Sequence, residues 1–139
     1  MAIEINNLTD FTVDKKFFSE VAKKVLKGEN KEMENLSIAF VSTREMRKLN
    51  KKYRKKDKPT DVLSFEKSIS FKVDFSEVVI CPQFVEENAK GKKSVKRELA
   101  KVLVHGILHT LGYDHEVSKT EEERMFKKQE YYLSKIINL

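Results

Sequence analysis

All three histidines of this 139-residue chain lie within eleven consecutive residues, from His105 to His115. His105 and His109 are four residues apart, and residues at that spacing in an α-helix share one face, close enough for both imidazoles to bind one metal ion. Gly112 then favours a left-handed turn that would end the helix and bring His115 back as a third nitrogen ligand. This window therefore predicts a long helix that ends in a tight turn and carries a metal site there.

The predicted site has the composition of a catalytic metal centre. Three neutral imidazoles leave a fourth tetrahedral position for water, unlike a closed structural zinc site. Zinc, one ion per chain, is the expected metal, because bound zinc lowers the pKa of water to about 7 and polarises a phosphoryl or carbonyl oxygen. Nickel, cobalt and copper also bind such ligands and stay open as alternatives. Asp114, or a nearby backbone carbonyl, is a candidate to accept the other N–H of an imidazole and orient it.

The same spacing also occurs in metzincin proteases, which makes a metallopeptidase one possible function. Those enzymes carry a glutamate directly after the first histidine as the general base. Here that position is Gly106, which cannot move a proton. The spacing alone therefore favours a peptidase only weakly.

The single cysteine, Cys81, excludes an intramolecular disulfide and a zinc cluster of several thiolates. This cysteine usage predicts a reducing, cytoplasmic compartment. The N-terminal segment lacks the basic and apolar regions of a signal peptide, and no apolar run is long enough to span a membrane. We expect no membrane partner.

The chain has a net charge of +6, and residues 44–58 alone have a net charge of +7, from nine basic and two acidic residues. Candidate RNA-binding residues in this segment are Arg44, Arg47, Lys48, Lys51, Lys52, Arg54, Lys55 and Lys56, followed by Lys58. A second cluster contains Lys90, Lys92, Lys93, Lys96 and Arg97. Such segments are often solvated surfaces, but beside a hydrolytic metal site they indicate a phosphodiester substrate, because lysine and arginine bind phosphate.

Hydrophobic periodicity predicts strands and helices in one domain over residues 1–139. The expected strands include Ile3 and Ile5 and then residues 36–40, 61–65, 69–73 and 78–81. The expected helices are capped by Asp14, Thr43, Ser94 and Thr120, the last in a capping box with Glu123, and a further helix begins at Pro82. This pattern predicts an α+β sandwich: a small mixed sheet packed with helices, and the metal site at the end of a long helix.

Two blocks of the sequence resemble the YbeY family of endoribonucleases. The histidine window matches the family signature H-G-x-L-H-x-x-G-Y-D-H, and the second block comprises Leu49-Asn50-Lys51-Lys52-Tyr53-Arg54, Asp57 and Thr60-Asp61-Val62-Leu63-Ser64-Phe65. The resemblance implies a four-stranded sheet packed with helices and a zinc-dependent endoribonuclease that acts on single-stranded RNA. It also implies His105, His109 and His115 as ligands and Arg54 as an arginine needed for activity. We also expect His109 to be catalytic, because its loss should abolish both bound metal and cleavage.

The resemblance further implies a role in ribosomal RNA processing, notably maturation of the 3′ end of the small-subunit RNA, and in ribosome quality control, with the small ribosomal subunit as partner. An alternative of a different class is a ribosome-assembly factor that binds RNA without cleaving it and whose metal is structural.

Overall fold

A computed structural model describes residues 2–67, 73–89 and 94–136 of the chain. Four strands and five helices occur in these parts. In chain order they are β1 (Ile3–Asn7), α1 (Lys15–Gly28), β2 (Leu36–Phe40), α2 (Thr43–Arg54), β3 (Val62–Phe65), β4 (Ser76–Ile80), α3 (Pro82–Asn88), α4 (Val95–Thr110) and α5 (Lys119–Ser134). None of these helices is long and apolar enough to cross a membrane.

The four strands form one mixed sheet in the order β1-β2-β4-β3. The strands β1, β2 and β4 are parallel, with Ile38 opposite Ile5 and Val78. The edge strand β3 runs antiparallel to β4, and Leu63 lies opposite Val79. This arrangement confirms the predicted small mixed sheet.

Side-chain alternation gives each face of the sheet its own hydrophobic core. Ile38 and Val78 belong to the larger core, which they share with buried residues of α1, α4 and α5. Leu63 and Val79 point the other way and belong to a smaller core with Met46 of α2. Helices therefore cover both faces, as the predicted α+β sandwich requires.

The structure confirms two predicted helix caps and corrects two others. Asp14 Oδ1 accepts a hydrogen bond from Phe17 N at 3.0 Å, and Ser94 Oγ accepts one from Arg97 N at 3.1 Å. The caps predicted at Thr43 and Thr120 are wrong, because both threonines lie inside their helices.

A serine immediately before each of these two helices is the actual cap. Ser42 Oγ accepts from Glu45 N and Ser118 Oγ accepts from Glu121 N, both at 3.1 Å. Each serine is followed three positions later by a glutamate, so the serine fits the capping-box pattern and can be the N-cap in place of the nearby threonine. The predicted starts of these two helices are therefore one and two residues too late.

One predicted strand cannot be compared with the structure. Of residues 69–73, residues 69–72 lie outside the described part of the chain, and Val73 is in an exposed turn. The strand predicted at 61–65 is β3, and the strand predicted at 78–81 is β4, which begins at Ser76 and ends at Ile80.

Gly106 allows α4 to pack closely against the sheet. A Cβ atom there would lie 2.7 Å from Val78 Cγ1 and 3.1 Å from Val62 Cγ2. Ser64 Oγ also donates a hydrogen bond to Gly106 O at 3.0 Å. The position that holds the general base in metzincins therefore faces the sheet here, and a larger side chain would not fit without movement of α4.

Candidate metal centre and the cleft around it

The three histidines come together at the C-terminal end of α4. One nitrogen from each ring can be chosen so that all three lie within 4.8 Å of one another. His109 Nε2 is 3.0 Å from His115 Nδ1, and the ring centroids of His105 and His109 are 4.8 Å apart. This donor set of three imidazoles fits a metal such as zinc.

The turn after α4 brings His115 back towards the helix. Gly112 has a φ of 102°, the left-handed conformation that glycine adopts without steric cost. Tyr113 N donates to Leu108 O at 3.1 Å, and Gly112 N donates to His109 O at the same distance. These bonds close the C-terminal end of the helix as the spacing predicted.

Burial keeps two of the imidazoles in the form that binds metal. Desolvation lowers the pKa of His105 and of His109, because burial disfavours the charged ring. The neighbouring histidines lower both pKa values further, since each imidazolium would repel the next. A neutral imidazole offers the lone pair that a metal needs.

Gln129 of α5 holds His105 in one orientation. Its Oε1 is 3.0 Å from His105 Nδ1, and the side chain is buried, with 6% of the residue exposed. Because an amide oxygen only accepts, His105 Nδ1 carries the proton and its Nε2 is left for a metal. Asp114, the residue predicted to orient an imidazole, accepts a hydrogen bond from Glu116 N at 2.8 Å through its Oδ1.

The carboxylate of Glu29, just after α1, holds the turn that carries His115 in place. Tyr113 OH donates to Glu29 Oε1 at 2.6 Å, Tyr132 OH also donates to the Glu29 carboxylate, and Lys128 Nζ lies 3.2 Å from Glu29 Oε2. Burial alone would raise the pKa of Glu29, but these hydrogen bonds outweigh it and keep that pKa below its ordinary value. Burial and the Glu29 carboxylate raise the pKa of Tyr113 to about 12.

The histidines open onto a cavity of about 940 Å³. Its walls come from the end of α2, from β3 with the residue before it, and from the turn after α4. They are formed by Tyr53, Arg54, Asp61, Val62, Leu63, Ser64, Phe65, Glu66, Asp114 and Glu116, together with the three histidines. We call this cavity the cleft.

Arg54 alone of the predicted RNA-binding residues lines the cleft. It is the last residue of α2, and Lys55 follows in the left-handed conformation with a φ of 61°. The other candidates are exposed outside the cleft: Arg44, Arg47, Lys48, Lys51, Lys52, Lys55 and Lys56. The structure thus brings Arg54 to the histidines and leaves the remaining basic residues on the surface.

The loop after α2 is held against the helix by two contacts. Arg47 Nε donates to Asp57 Oδ1 at 2.7 Å, and the buried Asn50 donates from Nδ2 to Lys58 O at 2.8 Å. The contact between Arg47 and Asp57 neutralises part of the positive charge on α2.

The second basic cluster is described only in part. Lys90, Lys92 and Lys93 lie outside the described residues, and Lys96 Nζ is 3.3 Å from Asp14 Oδ2.

Sequence reasoning missed Gln129 and Glu29. Both contact residues that are distant in sequence, since Gln129 is 24 residues from His105 and Glu29 is 84 residues from Tyr113. Neither lies in the histidine window or in the basic segment. The helical spacing of Met125, Gln129 and Leu133, which places a polar side chain among buried neighbours on α5, is a signal that could have singled out Gln129.

Comparison with known proteins gives consistent matches over most of the chain. A family model described as Endoribonuclease YbeY matches residues 4–137. The chain is 40% identical over 105 residues to the Endoribonuclease YbeY of Thermotoga neapolitana. The matched region covers 75% of this chain and 68% of that protein. It is 37% identical over 140 residues to the protein of the same name from Vesicomyosocius okutanii, covering 98% and 96% of the two chains.

A solved structure shares the same architecture. The solution structure of a Thermotoga maritima protein matches with a TM-score of 0.68 and 32% identity. The match covers 96% of this chain and 88% of that one.

Proposed function

Because this chain belongs to the YbeY family of endoribonucleases, we propose that it is a metal-dependent endoribonuclease that cleaves single-stranded RNA. The observation that carries the proposal is the cluster of His105, His109 and His115, which opens onto the cleft that Arg54 also lines. Three half-buried imidazoles in one cleft with an arginine are a suitable arrangement for a hydrolase that acts on phosphodiesters.

The proposed roles follow from the chemistry of each side chain. His105, His109 and His115 would hold one zinc ion, with Gln129 orienting His105. When bound, zinc supplies a Lewis acid and a water molecule of lowered pKa. Arg54 binds the phosphate that is cleaved and stabilises the negative charge that develops on its oxygens.

The cellular role that we propose is ribosomal RNA processing in the cytoplasm, with the small ribosomal subunit as partner. It includes maturation of the 3′ end of the small-subunit RNA and ribosome quality control. The exposed basic residues of α2 support a polyanionic partner of this kind, because lysine and arginine on a surface bind RNA phosphates largely without regard to base sequence.

A ribosome-assembly factor that binds RNA without cleaving it is the second candidate function. This candidate is favoured by the position of most basic side chains, which lie outside the cleft. Inside the cleft, Arg54 is accompanied by four carboxylates, those of Asp61, Glu66, Asp114 and Glu116. RNA could bind along α2 without entering the cleft. Multiple-turnover cleavage would exclude this candidate.

Replacement of Arg54 tests the proposed function. We expect Arg54→Ala to retain its bound metal but to lose cleavage of a defined single-stranded RNA by about 10²-fold or more, as when a charge-stabilising donor is removed. Metal content per chain and the cleavage rate are the measurements.

The matched control is Lys127→Ala, which removes one positive charge from an exposed position on α5. We expect it to cleave at the rate of the unmodified chain. Cleavage by Arg54→Ala at that same rate would contradict the role of Arg54, and loss of metal would show that Arg54 acts through the metal site.

A further inference from the structure

A second, smaller cavity of about 140 Å³ lies between α3 and α4. Asp61 lines both this cavity and the cleft, so the two spaces meet at one side chain. The backbone explains this proximity, because Cys81 N donates to Asp61 O at 2.9 Å and thereby ties the start of α3 to the residue before β3. We call this cavity the α3–α4 pocket.

One wall of the α3–α4 pocket is apolar. It is formed by Phe84, which is half-buried and also packs against the smaller core, together with Val85, Ala89 and Val102. Val85 and Ala89 are buried, so this wall is backed by the protein interior. A flat, uncharged group would find a packing surface here.

Apart from Lys101, the polar side chains that line the pocket offer hydrogen-bond acceptors. Asn88 Nδ2 donates to Phe84 O at 2.7 Å, which leaves its Oδ1 as the available atom. Val62 N donates to Asp61 Oδ1 at 2.8 Å and holds that carboxylate in place. Within the described residues, the carboxylate of Glu98 makes no hydrogen bond or ion pair.

This combination matches one kind of ligand. Proteins that recognise single-stranded RNA stack unpaired bases on aromatic side chains and read the base edges by hydrogen bonds. Carboxylate and amide oxygens accept from an exocyclic amino group such as N4 of cytosine, whereas uracil carries a carbonyl at that position. The two carboxylates of the pocket also disfavour a phosphate inside it.

We propose that the α3–α4 pocket binds one nucleobase that carries an exocyclic amino group, next to the phosphate held in the cleft. The inference rests on the proposed function, since it takes RNA as the substrate. Phe84 supplies the stacking surface, and Asp61, Asn88 and Glu98 supply the acceptors. Lys101, at the same pocket, pairs with a neighbouring phosphate of the RNA.

The test compares the affinities of two labelled oligonucleotides of about ten nucleotides, one all cytosine and one all uracil, by fluorescence anisotropy on the metal-loaded protein. Both are pyrimidines, so they differ mainly in the group at position 4. We expect the cytosine oligonucleotide to bind roughly tenfold more tightly. The integrity of each RNA is checked after the titration, so that cleavage does not distort the affinities.

Two variants assign the preference to the pocket. Glu98→Gln replaces an acceptor oxygen with a donor, and we expect the ratio of the two affinities to fall to about one. Phe84→Leu removes the aromatic surface but keeps an apolar side chain, and we expect it to weaken binding of both oligonucleotides about tenfold. Glu122→Gln on α5 makes the same charge change at an exposed position and should leave the ratio unchanged.

The outcomes separate this inference from the proposed function. Equal affinity of the unmodified protein for the two oligonucleotides, or an unchanged ratio in Glu98→Gln, would overturn the base pocket and leave the proposed function intact. Failure to bind either oligonucleotide would overturn the proposed function and the base pocket with it.

Discussion

The three imidazoles differ in the contacts that hold them. His105 is oriented by Gln129 from α5, at 3.0 Å. His115 lies in the turn after α4, with its Nε2 3.7 Å from Glu116 Oε1. The ring centroid of His109 is 4.8 Å from that of His105 and 5.0 Å from that of His115. The orientation of His105 is therefore set by a buried side chain from a distant part of the chain.

Replacement of Gln129 should therefore weaken metal binding. We expect Gln129→Leu, which keeps the size of the side chain but removes the acceptor, to lower zinc affinity about 10–100-fold. Gln129→Glu restores an acceptor and should recover the affinity. Titration of metal-free protein against a competing chelator measures both.

A surface glutamine gives the control for this comparison. Gln83 is exposed on α3, and Gln83→Leu should bind zinc as the unmodified chain does. If Gln129→Leu also bound zinc with unchanged affinity, the proposed orienting role of Gln129 would be wrong.

The residues of the candidate site differ in how far the sequence predicts them. The geometry of His105, His109 and His115 follows from the helical period and one left-handed glycine, which are local properties. The contact of Gln129 with His105 depends instead on how α5 docks on α4, and no local spacing encodes that. The role of Asp114 as an orienting residue stays a prediction, and its carboxylate bonds Glu116 N in this structure.

At the scale of elements, Glu29 joins α1, α5 and the turn after α4. Its side chain is 9% exposed and receives hydrogen bonds from Tyr113 and Tyr132. Gly28 makes this junction possible, because a Cβ there would overlap the ring of Tyr132. The turn that carries His115 is thus held by two helices remote in sequence.

Replacement of Glu29 should cost stability in a pH-dependent way. We expect Glu29→Gln to lower the free energy of unfolding by about 1.5–3 kcal/mol near neutral pH, because bonds to a charged group are lost. The pKa of Glu29 is lowered in the folded state, so its contribution is present above the ordinary value of 4.5 and is lost as pH falls through the folded value. The difference between the two proteins should therefore shrink in acid.

Urea unfolding at several pH values measures this difference. Glu20→Gln is the control, because Glu20 is exposed and its ion pair with Lys23 is 3.9 Å long; its effect should stay within about 0.5 kcal/mol. A loss for Glu29→Gln that did not change with pH would show that the carboxylate is not the source of the stability.

At Gly106, α4 packs too closely on the sheet to leave room for a side chain. Alanine usually favours a helix over glycine by about 1 kcal/mol. At Gly106 we expect the reverse, with Gly106→Ala destabilising the fold by about 1–3 kcal/mol, because the added methyl group overlaps Val78. Urea unfolding provides the measurement, with the exposed Glu122→Ala as control.

An unchanged or higher stability of Gly106→Ala would show that α4 can move away from the sheet at little cost. Displacement of α4 would also displace His105 and His109, which lie on either side of Gly106. Metal affinity measured on the same variant would report that displacement.

The elements themselves were largely predictable, whereas their exact starts were not. Periodicity indicated helices and strands because each element must bury one face. The choice between Ser42 and Thr43, or between Ser118 and Thr120, depends on which side chain reaches the free N–H groups, and these residue types have similar capping preferences. The antiparallel direction of β3 is set by its pairing with β4, which is not a local property.

At the scale of the whole molecule, charge is divided between two regions. Residues 44–58, in α2 and the loop after it, have a net charge of +7 against +6 for the whole chain, whereas the cleft contains four carboxylates beside Arg54. RNA held by this basic segment would meet the metal site only where Arg54 binds a phosphate. The basic segment was visible in the sequence, but its position outside the cleft depends on the tertiary fold.

In the proposed function, the three-histidine cluster binds a metal on which RNA cleavage depends. Multiple-turnover cleavage of a defined single-stranded RNA by protein purified without a histidine tag tests this dependence, measured before metal removal, after removal and after zinc is restored. His109→Ala is assayed in parallel. We predict that cleavage disappears with the metal, returns with zinc and is absent in His109→Ala; undiminished cleavage by the metal-free protein or by His109→Ala would contradict this dependence.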